Sequence, residues 1–117
     1  MAKHPDYLRQ LEDPLTPGET LLLWRRRADM TQEGAANYFG VSMRQYKAWE
    51  ADRKKPPVKI KKWKLEPYEV CVIYRHRAKM SVNRLALDIG FSPYWVTRLE
   101  RGREPGAIGT LLEYWEC

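Results

Sequence analysis

The chain has 117 residues, which is room for one ordinary domain or two very small ones. Its 21 Lys and Arg against 15 Asp and Glu give a net charge of +6, which points only weakly to nucleic acid or another anionic surface. The sequence has no apolar run of ~18 residues, no apolar export signal and too few Cys and His for a disulfide scaffold or a metal site, so we expect a cytoplasmic protein without membrane contact.

The sequence contains an internal repeat. Residues 15–53 align with residues 65–103 without a gap, and 12 of the 39 aligned pairs are identical. We therefore predict two copies of one helical unit. The predicted organisation comprises an N-terminal segment 1–14, copy one 15–53, a basic linker 54–64, and copy two with a C-terminal helix, 65–117.

The first helix of each copy is predicted from its start. Thr16 and Glu19 have the spacing of a capping box, and Pro17 occupies the first helical position. Copy two keeps the proline and the glutamate, and its Cys71 aligns with Leu21, so we expect a buried apolar thiol. These helices carry more apolar side chains than one stripe buries, namely Leu22, Leu23, Val72 and Ile73. Two explanations stay open: the copies pack on each other or on another chain, or the segment 1–14 covers a fuller core.

Two shorter helices follow in each copy. In copy one the second begins after Thr31, a good N-cap, and ends at Gly40, where glycine suits a left-handed stop. Ser42 caps a third helix over residues 43–51 and forms a second capping box with Gln45. Copy two has Ser81, Gly90 and Ser92 at the aligned positions, with Pro93 in the first turn of its third helix, and a short closing helix follows within 107–117. Because strand signals are nearly absent, we predict an all-α fold.

A small residue in the second helix, a glycine in the turn and an apolar inner face on the third helix are what a helix-turn-helix requires. Ala36, Gly40, Tyr46 and Trp49 meet these needs in copy one. The stretch LWRRRADMTQEGAANYFGVS, followed by YKAWE, resembles the Cro/repressor (XRE-type) helix-turn-helix family. Copy two departs from the pattern at Val82, where the family usually has Gln. The resemblance implies two tandem lambda-repressor-like helix-turn-helix units.

In this family the third helix enters the major groove, so the resemblance implies candidate DNA contacts. Arg44 is the best specificity candidate because its guanidinium matches guanine O6 and N7, and Gln32 matches the phosphate-anchoring Gln of the family. The candidates of copy one and the linker are Gln32, Met43, Arg44, Gln45, Lys47, Arg53, Lys54, Lys55, Lys61 and Lys62. Those of copy two are Asn83, Arg84, Tyr94, Thr97, Arg98, Arg101 and Arg103. Because the two sets differ, either the DNA site is asymmetric or one copy has another task.

The resemblance also implies a structural ion pair between the first and third helices of each copy. Arg25 with Glu50 and Arg75 with Glu100 occupy those positions. A bidentate arginine–carboxylate contact would fix the orientation of the third helix without touching DNA. The linker 54–64 holds six lysines and no acid, a segment suited to following phosphates.

The sequence has no catalytic triad, phosphate loop or metal cluster, so we expect neither an enzyme nor a cofactor or small-molecule substrate. The resemblance implies a sequence-specific regulator of transcription, most often a repressor, that binds double-stranded DNA at the nucleoid of a bacterium, or of the bacterial host of a phage. It would act as a monomeric pseudo-dimer or a homodimer. The alternative is a helix-turn-helix adaptor, antitoxin-like or accessory to recombination, in which copy two binds protein.

Overall fold

The computed structural model of the protein describes residues 15–57 and 65–115. Over these residues it contains seven α-helices, with 67% of residues helical and no strand, which confirms the all-α prediction. The described residues divide into two compact units, residues 15–57 (unit 1) and residues 65–115 (unit 2). The predicted N-terminal segment and most of the linker lie outside the described residues.

The helices of the two units begin and end at matching positions. Unit 1 contains α1 Pro17–Arg27, α2 Gln32–Phe39 and α3 Met43–Glu50. Unit 2 contains α4 Pro67–Arg77, α5 Val82–Ile89 and α6 Pro93–Glu100, followed by a 3-10 turn Pro105–Ala107 and α7 Gly109–Tyr114. The bounds of α4, α5 and α6 thus coincide with those of α1, α2 and α3 in the alignment of the two copies. The third helices end one residue earlier than predicted, and α7 is shorter than the predicted closing helix.

The predicted caps account for these bounds in unit 1. Thr16 Oγ1 accepts a hydrogen bond from Glu19 N at 3.1 Å, and Glu19 Oε1 accepts one from Thr16 N at 3.0 Å, so the predicted capping box is present. Ser42 Oγ accepts from Gln45 N at 3.1 Å and starts α3, but among the described residues the Gln45 side chain makes no return bond to Ser42 N, so the second predicted capping box is only half formed. Gly40 ends α2 in the left-handed region, with φ of 71°, which a side chain would disfavour.

The core of unit 1 lies where its three helices meet. Its buried side chains are Leu21, Ala35, Ala36, Tyr46 and Trp49. Phe39 packs against this core with its ring centroid 6.2 Å from that of Tyr46 and 5.9 Å from that of Trp49. Since these aromatic rings bury large areas, they fix α3 on the other two helices.

The core of unit 2 is aliphatic and includes a fourth helix. Its buried side chains are Cys71, Leu85, Ala86, Val96, Leu99 and Leu111. Trp115 stacks on Tyr74 at 6.0 Å, and the Tyr114 hydroxyl donates to Asp88 Oδ2 at 3.0 Å, so the end of α7 contacts α4 and α5. Cys71 is a buried thiol at the position of Leu21, as predicted. The four surplus apolar side chains of α1 and α4 are also buried.

The turn after the third helix meets the start of the first helix in both units, with different residues. In unit 1 the Asp52 carboxylate accepts from Gly18 N at 2.9 Å and from Thr16 Oγ1 at 2.5 Å. A Cβ atom on Gly18 would lie 2.5 Å from Glu50 O. In unit 2 the counterparts are exchanged, because Tyr68 fills the space and Gly102, with φ of 74°, is the glycine. Each unit therefore has one glycine at this contact, on opposite sides.

Candidate nucleic-acid interface

The end of α3 is held by a buried charge network. Arg25 Nε lies 2.6 Å from Glu50 Oε2 and Arg25 Nη2 lies 3.3 Å from Glu50 Oε1, while Arg25 Nη1 donates to Met30 O at 3.1 Å. Gln32 Nε2 donates to Glu50 Oε1 at 3.0 Å. Because Glu50 is only 4% exposed, these donors replace the water that its carboxylate loses. The pair implied by the family resemblance is therefore present, and α1, α2 and α3 meet in it.

Unit 2 contains the corresponding pair. Arg75 Nε lies 2.7 Å from Glu100 Oε2, and Arg75 Nη1 donates to Met80 O at 2.9 Å. Val82 stands at the position of Gln32 and has no amide to offer the carboxylate. The arginine–glutamate pair is thus shared by both units, whereas the glutamine belongs to unit 1.

The Tyr46 hydroxyl lies beside the network of unit 1. Its side chain is fully buried, and among the described residues no hydrogen bond of good geometry reaches the hydroxyl. Burial raises the pKa of Tyr46 well above its usual range, and the nearby Glu50 carboxylate raises this pKa further, while Arg25 lowers it. The hydroxyl therefore stays protonated in the folded protein.

The outward face of α3 carries exposed cations. Arg44 and Lys47 lie one turn apart on this face, with Met43 and Gln45 exposed beside them. In the described part of the chain, neither cation has an ion pair or a hydrogen bond from its side chain. The same holds for the exposed cations after the helix, which are Arg53, Lys54 and Lys55. Positive charge that is not neutralised by the protein is available to a phosphate or a base edge.

Gln32 is a member of the charge network as well as a predicted phosphate contact. It is half-buried, and one N–H bond of its amide points to Glu50. A glutamine amide has two N–H bonds, so one donor is left for a phosphate at the start of α2. The family resemblance implies only the second of these roles.

The outward face of α6 is different, because its cation is paired. Arg98 donates from Nε and Nη2 to Glu104 Oε2, at 2.8 Å and 2.5 Å. Its Nη1 lies 3.4 Å from the Tyr94 hydroxyl, and its Cζ lies 5.8 Å from the centroid of the Tyr94 ring. Hydrogen bonds with Glu104 and Tyr94 raise the pKa of Arg98. All three guanidinium nitrogens are thus engaged within unit 2.

The other predicted contacts of unit 2 are exposed. Arg84 Nε lies 3.3 Å from Asp88 Oδ1. Tyr94 is 70% exposed. The remaining exposed candidates are Asn83, Thr97, Arg101 and Arg103. The predicted linker contacts Lys61 and Lys62 lie outside the described residues.

Glu104, the carboxylate that pairs with Arg98 of α6, was not identified from the sequence. The aligned repeat ends at residue 103, one position short of it. Extending the alignment by one position pairs Lys54 with Glu104, a reversal of charge at equivalent positions. This reversal of charge, shortly after Arg98 in the sequence, is the signal from which a partner for Arg98 could have been predicted.

Comparisons of this chain with protein-family models, with curated proteins and with solved structures found no match. Within the described residues, no helix has the length and apolar character needed to cross a membrane. No group of three or more His, Cys, Asp and Glu side chains in this part of the chain is placed to hold a metal ion.

Proposed function

We propose that the protein binds double-stranded DNA in a sequence-specific manner and regulates transcription, with α2, the turn and α3 acting as a helix-turn-helix. The observation that carries this proposal is the outward face of α3. It presents Arg44 and Lys47 without an acidic partner among the described residues, on a helix whose end is held by the Arg25–Glu50 pair. A rigid helix with cations in its first turns is suited to the major groove, which is about 12 Å wide.

The two cations have different roles in this proposal. Arg44 lies in the first turn of α3, where a guanidinium can donate to O6 and N7 of one guanine. Lys47 lies one turn later and contributes a point charge that suits a phosphate. Arg53, Lys54 and Lys55 follow α3 and add further phosphate contacts, which position the helix but do not read sequence.

The test begins with selection of bound sequences from a random pool of duplex DNA. Affinity for the selected site and for a random duplex is then measured by fluorescence anisotropy over a range of salt concentrations. We expect the logarithm of affinity to fall linearly with the logarithm of salt concentration, because bound lysines and arginines release counterions. A flat salt dependence, or no binding at low salt, would contradict the proposal.

Single substitutions separate base reading from phosphate contact. Arg44→Ala is expected to cost about 1–3 kcal/mol on the selected site and much less on random DNA, whereas Lys47→Ala weakens both equally and lowers the salt slope by about 1. Lys79→Asn is the matched control, since it removes one exposed charge from a turn of unit 2 where φ is 57°. Equal losses on both duplexes for Arg44→Ala would exclude base reading by this residue.

A second candidate function is an adaptor in which unit 2 binds protein. It is favoured by Leu87, an apolar side chain that is 77% exposed where unit 1 has the polar Asn37 at the aligned position. Under this alternative, Arg44→Ala and Lys47→Ala leave the function unchanged, while Leu87→Asp removes it. A two-hybrid interaction screen followed by these three variants distinguishes the two candidates.

A further inference from the structure

We propose that Glu104 excludes α6 from reading DNA, so that α3 is the reading helix of the two and each chain specifies one block of bases. This inference rests on the proposed function and deepens it. It assigns a role to a residue outside the repeat, and of the two alternatives that the sequence leaves open, an asymmetric DNA site or a copy with another task, it favours the second.

All three guanidinium nitrogens of Arg98 have partners within unit 2. Two of its nitrogens donate to a single oxygen of Glu104, and the third faces the Tyr94 hydroxyl. The pair is partly buried, with side-chain exposures of 33% and 29%. Short, charge-assisted hydrogen bonds from a partly buried guanidinium are stronger and less screened by salt than those of a fully exposed pair.

DNA would compete with Glu104 for the guanidinium of Arg98. A phosphate or a guanine can bind Arg98 only after Glu104 gives up these hydrogen bonds. The carboxylate that is then released is negative and lies at the same face, where it repels the phosphate backbone. Glu104 therefore acts twice against DNA, once by occupying the cation and once by its own charge.

Unit 2 lacks cations at three positions where unit 1 has them. Arg44 and Lys47 of α3 correspond to Tyr94 and Thr97 of α6, which carry no charge. Lys54 corresponds to Glu104. These three positions carry cations without an acidic partner among the described residues of unit 1, and in unit 2 two of them are neutral and one is acidic.

The experiment compares Glu104→Gln with Glu113→Gln, on the selected site and on a random duplex of equal length. Both variants remove one negative charge from unit 2, but Glu113 is exposed on α7 and no hydrogen bond or ion pair of its side chain is present among the described residues. Glu104→Gln is expected to bind both duplexes more tightly and to steepen the salt slope by about 0.9, the value for one further phosphate contact. Glu113→Gln is expected to leave the slope unchanged.

A third variant tests whether the effect of Glu104 acts through Arg98. Arg98→Ala in the otherwise unchanged chain is expected to alter affinity for the selected site less than twofold. In the Glu104→Gln background it is expected to abolish the gain. Glu104→Lys, which copies Lys54 of unit 1, serves as a second releasing variant if Glu104→Gln unfolds, as monitored by circular dichroism.

The possible failures are distinguishable. If Arg44→Ala weakens binding but Arg98→Ala weakens it equally, α6 reads DNA and the inference on Glu104 is wrong while the proposed function stands. If the unchanged chain does not bind duplex DNA, the proposed function is wrong. In that case a gain of binding by Glu104→Gln, but not by Glu113→Gln, still supports the role of Glu104, and the absence of any gain overturns it.

Discussion

Units 1 and 2 are built from the same three helices but differ in the positions of their charged side chains. Their three main helices have matching bounds, and each unit has an arginine–glutamate pair at the end of its third helix. The outward faces differ, because unit 2 pairs Arg84 with Asp88 and Arg98 with Glu104. The arginine and glutamate that hold the third helix are distinct from the outward-facing residues, whereas Gln32, which Val82 replaces in unit 2, belongs to both groups. One set can change while the other is retained.

The largest expected effect concerns the arginine–glutamate pair that both units contain. Arg25→Ala leaves the carboxylate of Glu50 buried without its main partner, and we expect a loss of about 3 kcal/mol in the free energy of unfolding. Arg75→Ala should have a similar effect through Glu100. Urea unfolding followed by circular dichroism measures both, with Arg53→Ala as the exposed control. If only one of the two variants is destabilised, the pairs are not equivalent.

The next effect tests the contact at which the units differ. Gly18→Ala places a Cβ atom 2.5 Å from Glu50 O and 2.7 Å from Trp49 O, both of which are backbone atoms. We expect a loss of about 2 kcal/mol, since the backbone must shift. Gly34→Ala is the matched control, because the nearest atom is Thr31 Oγ1 at 3.4 Å and the helix gains about 0.8–1.0 kcal/mol from alanine. Thermal unfolding should separate the two glycines by sign.

The smallest effect concerns the tyrosines whose pKa is raised, Tyr46 in unit 1 and Tyr114 in unit 2. Burial is the main cause in both, with Glu50 and Asp88 contributing. Since the folded chain keeps protons that the unfolded chain loses above about pH 10, the contribution of these two tyrosines to stability is constant below that pH and falls as the pH rises further. Tyr46→Phe should remove more of this alkaline loss than Tyr114→Phe, because Tyr46 is fully buried.

Tyr46→Phe should also stabilise the protein by about 1 kcal/mol at pH 7, because the hydroxyl is buried without a hydrogen bond among the described residues. Unfolding in urea between pH 7 and pH 11 provides both measurements. Tyr38→Phe, at a side chain that is 69% exposed, controls for the loss of a phenol. A destabilised Tyr46→Phe would show that the hydroxyl contributes a favourable contact.

The sequence predicted the local features of the fold well. Helix starts followed from Thr16, Thr31 and Ser42, because capping depends on residues only three positions apart. The arginine–glutamate pairs join helices that are distant in the sequence, and they were expected only through the family resemblance. The partner of Gly18 was missed because Asp52 is far along the chain and no periodic pattern marks it. Glu104 was missed because the direction in which its side chain points depends on the conformation of the turn after the helix, and no sequence pattern specifies that conformation.

The exchange of glycine between the two sides of one contact has a consequence for engineering. Unit 1 has Gly18 opposite Asp52, and unit 2 has Tyr68 opposite Gly102. A chimera that combines the first helix of unit 2 with the remainder of unit 1 would bring Tyr68 against Asp52, with no glycine to make room. The reverse chimera would leave two glycines and an unfilled gap. The first helices of the two units are therefore not interchangeable modules, and grafting one of them requires moving the turn after the third helix with it.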